Sequence, residues 1–355
     1  MLFVLFLAAA IWGLGHLMGA PVRQRLIMLA GLYAAVLLVH LALPEGAPLR
    51  AATGGSVESW LVLGGAVLLV GGYTAGLRQL RRRAAGKGTR TSEPERPAGS
   101  FSPSELERYA RHIMLREIGG TGQRKLRDAR VLVIGAGGLG SPVLLYLAAA
   151  GVGTIGVIDA DTVDNSNLQR QVIHTDDRIG MPKVFSAQAA MEALNPHIQV
   201  RPYHRRLEPE IAEALFADYD LILDGTDNFD TRYLANRSAV ATAKPLIAAA
   251  ITQWEGQISL YDPARGGPCF ECVFPERPAP ELVPSCAEAG VVAPLPGILG
   301  SMMATEAIKA LTGAGEGLRG RLMIHDALYA EARVIAVRPR PECPVCAGVR
   351  PAGAG

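Results

Sequence analysis

The stretch that decides the fold is Val131-Leu-Val-Ile-Gly-Ala-Gly-Gly-Leu-Gly-Ser141. Its first four residues are apolar and β-prone, which predicts a buried strand. The glycines that follow allow a tight turn into a helix rich in alanine and leucine that ends near Ala150. In such a strand–loop–helix unit, backbone N–H groups of the loop and of the helix N-terminus point at phosphate oxygens. We therefore predict a nucleotide-binding loop that contains Gly135, Gly137, Gly138 and Gly140.

Beyond this loop the chain alternates apolar, β-rich runs with helical stretches, a pattern typical of a parallel sheet covered by helices. A second strand at 155–158 ends at Asp159, nineteen residues after Gly140, where a carboxylate can accept from ribose hydroxyls. The other predicted strands are 220–223, 246–251, 257–261, 322–325 and 333–337. We predict an α/β, Rossmann-like fold with a mostly parallel sheet and an antiparallel extension.

Charged and amide side chains follow the predicted strands in a pattern that a dehydrogenase does not need. The set comprises Asp161, Ser166, Asn167, Arg170, Lys183, Asp227 and Asn228. Because the carboxyl ends of parallel strands meet at one edge of a sheet, we expect these side chains to lie close together. Cations that converge on a polyphosphate spread its developing charge, while a carboxylate holds Mg²⁺. The pattern predicts phosphoryl or nucleotidyl transfer.

Four of the five cysteines form two Cys-x-x-Cys pairs, Cys269 with Cys272 and Cys343 with Cys346. Four thiolates at this spacing complete a tetrahedral zinc site. A redox pair is the alternative, but such a pair normally occurs once and opens a helix after a strand. Because a four-thiolate site has no open coordination position, we predict a structural Zn²⁺ that fastens the C-terminal tail to the domain.

Three stretches near the N-terminus lack Asp, Glu, Lys and Arg, and each is close to the roughly 20 residues that cross a bilayer as a helix. They are residues 1–20, 26–43 and 60–77. We predict that residues 1–83 form a membrane region of three transmembrane helices in contact with lipids. A signal peptide is the alternative for the first stretch, although no Lys or Arg precedes its apolar run.

The distribution of positive charge predicts the orientation of these helices. Arg23 and Arg25 lie between the first two stretches, and four arginines lie within 78–83, whereas Arg50 is alone in the intervening loop. Since positive loops stay in the cytoplasm, we predict a multi-pass protein of the inner (cytoplasmic) membrane whose C-terminal domain is cytoplasmic.

The distribution of net charge along the chain argues against a nucleic-acid partner. The chain has a net charge of +2, but residues 78–100 carry +5 and residues 101–355 carry −4. A broad phosphate-binding surface for nucleic acid does not fit this balance, so we expect no nucleic-acid partner. Residues 84–101 are predicted to be a linker, and a capping box from Ser102 to Glu105 begins the domain at 102–355.

Several motifs, taken in order, resemble those of the ThiF/MoeB/HesA family, the bacterial relatives of ubiquitin-activating enzymes. They are Arg108-Tyr-Ala-Arg-His-Ile, Gly-Ala-Gly-Gly-Leu-Gly-Ser, Tyr-Leu-Ala-Ala-Ala-Gly-Val-Gly, Ser-Asn-Leu-Gln-Arg-Gln, Pro-Lys-Val, Thr-Asp-Asn, Glu-Gly-Gln and Cys286-Ala-Glu-Ala-Gly-Val. The resemblance implies an adenylyltransferase that uses ATP and Mg²⁺ to activate the C-terminal Gly-Gly carboxylate of a ubiquitin-like sulfur carrier and releases pyrophosphate. Carriers of this kind serve molybdopterin or thiamine synthesis.

The resemblance also implies roles for matched nucleotide-binding positions. Gly138 is expected against the phosphates and Asp159 on the ribose. Phosphate contacts are expected from Asn167, Arg170 and Lys183. For the remaining two positions, the expectation is that Asp227 binds Mg²⁺ and that Asn228 lies beside the nucleotide.

Two further residues receive roles from the resemblance alone. Arg111 matches an arginine that homodimers of the family pass into the neighbouring subunit's site, so we expect a homodimer. Cys286 matches a cysteine that forms a sulfur link with the carrier in some members. No rhodanese-like domain follows Cys346 in this sequence, so a separate protein is expected to donate the sulfur.

Two other functions stay open at this point. An NAD-dependent oxidoreductase would explain the glycine loop but not Arg111, Arg170 and Lys183. A membrane-tethered nucleotide-binding scaffold without catalysis would explain nucleotide binding, although a degenerate enzyme should have lost some of these charged residues.

Overall fold

The structure, a computed structural model, describes residues 1–44, 46–54, 56–86, 100–277 and 289–349. The chain divides into two compact units, Met1–Arg96 and Pro97–Gly355.

The N-terminal unit is helical within its described residues. Its helices are α1 (Leu2–Leu17), α2 (Val22–Ala42), α3 (Pro48–Thr53) and α4 (Val57–Gly86). Val4, Val36 and Trp60 form a small buried cluster. The indole Nε1 of Trp60 donates to the carbonyl of Gly54 at 2.9 Å, and Tyr33 Oη donates to the Trp60 carbonyl at 2.7 Å. These two bonds satisfy the polar atoms of the rings that hold α2 and α4 together.

The prediction of three transmembrane helices is wrong by length and composition, because among the described residues only α2 is long and apolar enough to cross a membrane. Helix α1 has 16 residues, and Gly19, with φ +68°, and Pro21 prevent it from continuing. The apolar part of α4 within the described residues is Val57–Tyr73. Both helices are apolar but fall short of the length that α2 reaches.

The C-terminal unit contains one eight-stranded mixed sheet. Its strands are β1 (Arg130–Ile134), β2 (Thr154–Ile158), β3 (Gln199–Tyr203), β4 (Leu221–Asp224), β5 (Leu246–Thr252), β6 (Glu255–Tyr261), β7 (Arg321–Asp326) and β8 (Glu331–Ala336). Its described helices are α5 (Pro103–Ile113), α6 (Gly119–Asp128), α7 (Gly140–Ala150), α8 (Lys183–Leu194), α9 (Pro209–Ala217), α10 (Phe229–Ala241), α11 (Phe270–Val273) and α12 (Pro294–Thr312).

The strand order is β3-β2-β1-β4-β5-β6-β7-β8. Strands β1 to β5 run parallel, while β6, β7 and β8 each pair antiparallel with the preceding strand. This arrangement confirms the predicted α/β fold with its antiparallel extension. The order reverses between β1 and β4, and ligands of such sheets bind at the carboxyl ends of the strands beside that reversal.

Strand β3 was not predicted from the sequence. It lies at the edge of the sheet and pairs only with β2. Its sequence, Gln199-Val-Arg-Pro-Tyr203, is mostly polar and contains a proline, which an edge strand tolerates because one side of its backbone needs no partner. A strand buried on one face and free at one edge lacks the continuous apolar run that marks the central strands.

The predicted capping box at the start of the domain is confirmed. Ser102 Oγ accepts from the Glu105 N–H at 3.1 Å, and the Glu105 carboxylate accepts from the Ser102 N–H at 2.7 Å. These bonds satisfy N–H groups that the first turn of α5 would otherwise leave unpaired.

Candidate nucleotide-binding site and metal centre

The glycine loop joins β1 to α7, and two of its glycines are required by geometry. Gly135 has φ +92°, a left-handed conformation that side chains disfavour. A Cβ on Gly140 would lie 2.0 Å from the carbonyl oxygen of Gly135, so no side chain fits there. Helix α7 begins without a side-chain cap and has no acidic residue in its first turn. Its positive N-terminal end is therefore suited to an anion.

Asp159 holds this loop to the end of β2. Its Oδ2 accepts from the Ala136 N–H at 2.8 Å, and its Oδ1 accepts from the Asp161 N–H at 2.8 Å. The carboxylate predicted to contact ribose thus lies beside the glycine loop. By accepting from the Ala136 N–H, the Asp159 side chain also fixes the backbone of the glycine loop.

Arg170 reaches the same loop from the segment after β2. Its side-chain Cδ lies 3.8 Å from the position that a Cβ on Gly138 would occupy, and the Pro296 ring of α12 packs against the same glycine. Its Nη1 donates to the Ser166 carbonyl at 3.2 Å. The half-buried guanidinium is therefore placed next to the predicted phosphate position by a bond to its own segment.

Lys183 is the first residue of α8 and is 6% exposed. Its Nζ lies 2.9 Å from Asp161 Oδ2, and its N–H donates to the Asp161 carbonyl at 2.9 Å. Asp161 is itself exposed. A buried ammonium held by one exposed carboxylate can transfer its interaction to an incoming phosphate without losing a partner.

Ser166 and Asn167 lie in a short turn just before Arg170. Asp164 Oδ1 accepts from the N–H and the hydroxyl of Ser166 at 2.8 and 2.6 Å. The bonds from Ser166 lower the pKa of the Asp164 carboxyl, with a smaller contribution from the charge of Lys183. The Asn167 amide donates to Ser166 Oγ at 3.4 Å. The Ser166 hydroxyl therefore stabilises the turn, whereas the half-exposed Asn167 amide remains within reach of a ligand.

The end of β4 completes the edge. Asp224 is 1% exposed, and its Oδ1 accepts from the N–H and hydroxyl of Thr226 at 2.9 and 2.6 Å. Its Oδ2 has no hydrogen-bond partner among the described residues. Asp227 is exposed, and Asn228 caps α10 by accepting from the Thr231 N–H at 2.9 Å. The sequence prediction did not assign the buried Asp224 to the site.

The predicted residues thus follow three adjacent loops at the carboxyl edge of the sheet. The loop after β4 touches the glycine loop, since a Cβ on Gly135 would meet the carbonyl of Gly225 at 3.4 Å and the Thr226 methyl at 3.5 Å. The buried Gln171 Oε1, for which the described part of the chain offers no hydrogen-bond partner, lies in the same region, and Gln171 Nε2 is 3.7 Å from the Cβ position of Gly137. Cations, helix N-terminus and unsatisfied polar atoms fit a bound magnesium polyphosphate; the individual roles stay predictions.

Sequence reasoning missed two buried residues that support these loops. His174 joins the glycine loop to α8 through both ring nitrogens. Arg232 on α10 donates to the carbonyls of Thr226 and Ala249, which fixes the loop that carries Asp227 against β5. Both bind backbone carbonyls, and such contacts leave no spacing signal in a sequence.

Two predicted residues stand apart from this edge. Arg111 is exposed on α5, and the structure gives it no hydrogen bond or ion pair to any described residue. Cys286 lies outside the described residues.

The other four cysteines converge in a buried cluster. Their sulfurs all lie within 4.8 Å of one another, with Sγ···Sγ distances of 3.8 Å for Cys269–Cys272, 3.6 Å for Cys269–Cys343 and 3.4 Å for Cys272–Cys346. A tetrahedral site with Zn–S bonds of 2.3 Å requires sulfurs about 3.8 Å apart. The cluster is therefore of a size that can hold a metal ion such as zinc.

The electrostatics of the cluster also favour a cation. A hydrogen bond to Cys272 and burial among neighbouring sulfurs raise the pKa of Cys269. The pKa of Cys272 is lowered to about 4 because its sulfur accepts from Cys269 and from the Arg340 N–H. Four thiolates can coexist in this buried space only if a cation compensates their charge.

A family model described as the ThiF family matches residues 109–345 of the chain. A Thermus thermophilus protein named sulfur carrier protein adenylyltransferase is 48% identical over 250 residues, which cover 69% of this chain and 92% of that protein. A Haloferax volcanii protein named SAMP-activating enzyme E1 is 46% identical over 247 residues, covering 70% of this chain and 91% of that protein.

Another relative is longer than the matched region. The Mycobacterium tuberculosis protein named probable adenylyltransferase/sulfurtransferase MoeZ is 52% identical over 251 residues, which cover 70% of this chain but 64% of that protein. Among solved structures, E. coli MccB with MccA-N7isoASN has a TM-score of 0.60 and 22% identity, covering 71% of this chain and 77% of that one. This last likeness establishes the fold alone.

Proposed function

The chain belongs to the ThiF family, and from that premise we propose that it is an adenylyltransferase that activates the C-terminal Gly-Gly carboxylate of a small ubiquitin-like sulfur-carrier protein. One observation carries the proposal. The glycine loop, Arg170, Lys183 and the loop of Asp227 are linked by contacts along one sheet edge, in a chain similar to proteins named for this activity.

The proposed reaction needs little proton chemistry. The carrier's terminal carboxylate is ionised at neutral pH, so its oxygen can attack the α-phosphorus of ATP directly. The bond from that phosphorus to the bridging oxygen of the β-phosphate breaks, pyrophosphate leaves, and an acyl-adenylate forms. ATP supplies the adenylyl group, and Mg²⁺ neutralises charge between its phosphates. The protein must align the reactants and stabilise developing negative charge.

Each part of the site has a task in this scheme. The amides of the glycine loop and the N-terminus of α7 bind phosphate oxygens. Arg170 and Lys183 would neutralise negative charge on the phosphate oxygens, and Asn167 would add an amide donor. Asp159 accepts from ribose hydroxyls, and Asp227 is the carboxylate that holds Mg²⁺. In a homodimer, the exposed Arg111 of one subunit would extend into the site of the other.

Pyrophosphate exchange tests the proposal directly. The full-length protein, mixed with ATP and each small Gly-Gly-ending protein of its organism, should exchange labelled pyrophosphate into ATP with one or a few of them. The matched control is the same carrier without its last glycine, which should give no exchange. ATP binding without exchange would favour a nucleotide-binding scaffold, and a change in nicotinamide absorbance would favour an oxidoreductase.

The metal in the four-cysteine cluster is zinc in this proposal. The cluster contains only sulfur ligands, and closed four-thiolate sites of tetrahedral size select Zn²⁺. No ligand position is left for water or substrate, so the metal has a structural role.

The N-terminal unit attaches the enzyme to the inner membrane in this proposal. Large apolar side chains on its helices face outward, among them Leu17 and Leu38, as expected for lipid contact. Among the described residues, α2 is the helix long and apolar enough to cross the membrane. Because ATP is cytoplasmic, the catalytic unit lies on the cytoplasmic side in this proposal.

Leu38→Arg tests this attachment. Leu38 is 65% exposed on α2, four residues before that helix ends at Ala42. An arginine costs about 2.5–3.5 kcal/mol at the centre of a span and less toward its end, so the substitution is unfavourable in the membrane. The parent protein should resist carbonate extraction, and protease should cut its C-terminal unit in inverted vesicles but not in spheroplasts. Leu38→Arg should weaken membrane retention. The matched control is Leu106→Arg on α5, where Leu106 is 48% exposed; it should change nothing. A parent protein that carbonate releases would contradict the proposal.

A further inference from the structure

His174 is a buried histidine whose two ring nitrogens are both occupied. It is 5% exposed. Its Nε2 lies 2.9 Å from the carbonyl oxygen of Ala136, and its Nδ1 lies 2.9 Å from Ser186 Oγ. Because a carbonyl only accepts, Nε2 carries the proton, so Nδ1 accepts from the serine hydroxyl. Burial lowers the pKa of His174, which agrees with this neutral tautomer.

The two partners of His174 belong to the two elements that carry the proposed phosphate contacts. Ala136 lies inside the glycine loop, and its N–H is bound by Asp159 at 2.8 Å. Ser186 lies on the first turn of α8, which begins at Lys183. The imidazole therefore joins the loop backbone to the helix that positions the buried ammonium.

The connection is rigid because both partners are held from other sides as well. The Ser186 carbonyl accepts from Arg178 Nη1 at 2.9 Å, and the Lys183 N–H is bound to the Asp161 carbonyl at 2.9 Å. A planar ring with two fixed nitrogens sets the separation of loop and helix more tightly than a flexible side chain could. A buried imidazole needs partners wherever it lies; here those partners are the glycine loop on one side and α8 on the other.

We infer that His174 is a positioning residue that holds the glycine loop against α8, so that the loop amides and the Lys183 ammonium are in place before a nucleotide arrives. The inference rests on the proposed function for the identity of the ligand, a nucleoside triphosphate. It assigns His174 no contact with that ligand. Its effect is preorganisation, which lowers the cost of binding without taking part in the bond-making step.

His174→Phe keeps a ring of similar volume and removes both hydrogen bonds. We expect the Kd and KM for ATP to rise about tenfold, because a tenfold change corresponds to the net contribution of roughly one buried hydrogen bond. The kcat at saturating ATP and the KM for the carrier should stay within about threefold of the parent values. His174→Gln, whose amide can still donate to Ala136, should recover part of the ATP affinity.

Hydrogen–deuterium exchange of the ligand-free protein provides a readout that requires neither ATP nor carrier. Amides of the peptide covering residues 135–141 should exchange faster in His174→Phe and, more weakly, in Ser186→Ala, which remains informative even if the first variant does not fold. The matched control is Tyr219→Phe, which removes the buried Tyr203–Tyr219 hydrogen bond of 2.9 Å in the same domain and should leave this peptide unchanged.

Unchanged loop exchange and ATP affinity in folded variants would overturn the inference, as would an equal effect of Tyr219→Phe. Because the exchange measurement uses no substrate, it can succeed even if no carrier supports pyrophosphate exchange. Failure of the inference is therefore separable from failure of the proposed function.

Discussion

Arg170→Ala and Asp227→Ala should each lower carrier-dependent pyrophosphate exchange by about 10²-fold or more while the fold survives. Arg170 lies against the glycine loop, and its guanidinium donates to the Ser166 carbonyl, its one hydrogen-bond partner within the described residues. Asp227 is exposed at the end of the β4 loop. Neither side chain belongs to the buried core, so each variant removes charge stabilisation from the reaction without removing packing.

Each variant has a control of matched chemistry in the same domain. Arg205→Ala removes an exposed arginine that pairs with exposed Glu208, and Asp230→Ala removes an exposed carboxylate three residues after Asp227. Surface pairs of this kind contribute little, so both controls should keep nearly full exchange activity. Thermal unfolding checks that the variants fold. Near-normal exchange in Arg170→Ala or Asp227→Ala would remove that residue from the site.

The parts of the fold that were predictable from sequence are those whose cause is local. The β1–α7 loop is set by glycines that its own backbone requires, such as Gly140. The start of the domain is set by a capping box in which Ser102 and Glu105 bind each other. The two Cys-x-x-Cys pairs were predicted to meet because four thiolates at this spacing complete one tetrahedral zinc site.

The parts that were not predictable depend on distant partners. β3 is defined by pairing with β2 rather than by its own residues. His174 acts on the Ala136 carbonyl 38 positions away in sequence, and Arg232 acts on carbonyls of two different segments. A backbone carbonyl is present at every residue, so no residue type marks it as a partner. The end of α1 is a different case, because the local residues Gly19 and Pro21 stop that helix.

Removing the proposed zinc from the four-cysteine cluster should strongly lower the stability of the C-terminal unit. In Cys346→Ser, or after treatment with a strong chelator, we expect a marked loss of thermal stability and loss of bound zinc, which elemental analysis should find at one per parent chain. Structural zinc binding is worth about 10–16 kcal/mol in small zinc peptides, which is comparable to the whole stability of a typical domain. Three remaining buried thiolates would also repel one another without compensation.

The loss of stability should extend beyond the C-terminal tail, because the cysteine cluster is connected to the carboxyl edge of the sheet through α10. Glu271, between Cys269 and Cys272, is 6% exposed and accepts from Arg237 and Asn236 on α10, while Asn236 Oδ1 accepts from the Phe270 N–H at 2.9 Å. That helix begins at Phe229, directly after its cap Asn228 and two residues after Asp227.

Loss of the metal should therefore raise the Mg²⁺ concentration needed for ATP binding at temperatures where the protein is still folded. The matched comparison is Glu271→Gln, which keeps all four sulfurs and removes the charge that Arg237 binds. It should retain zinc and show a smaller shift in Mg²⁺ dependence. If chelation destabilised the tail but left ATP and Mg²⁺ binding unchanged, the cluster would be a local fastening with no influence on α10. A parent protein free of zinc would exclude the metal assignment itself.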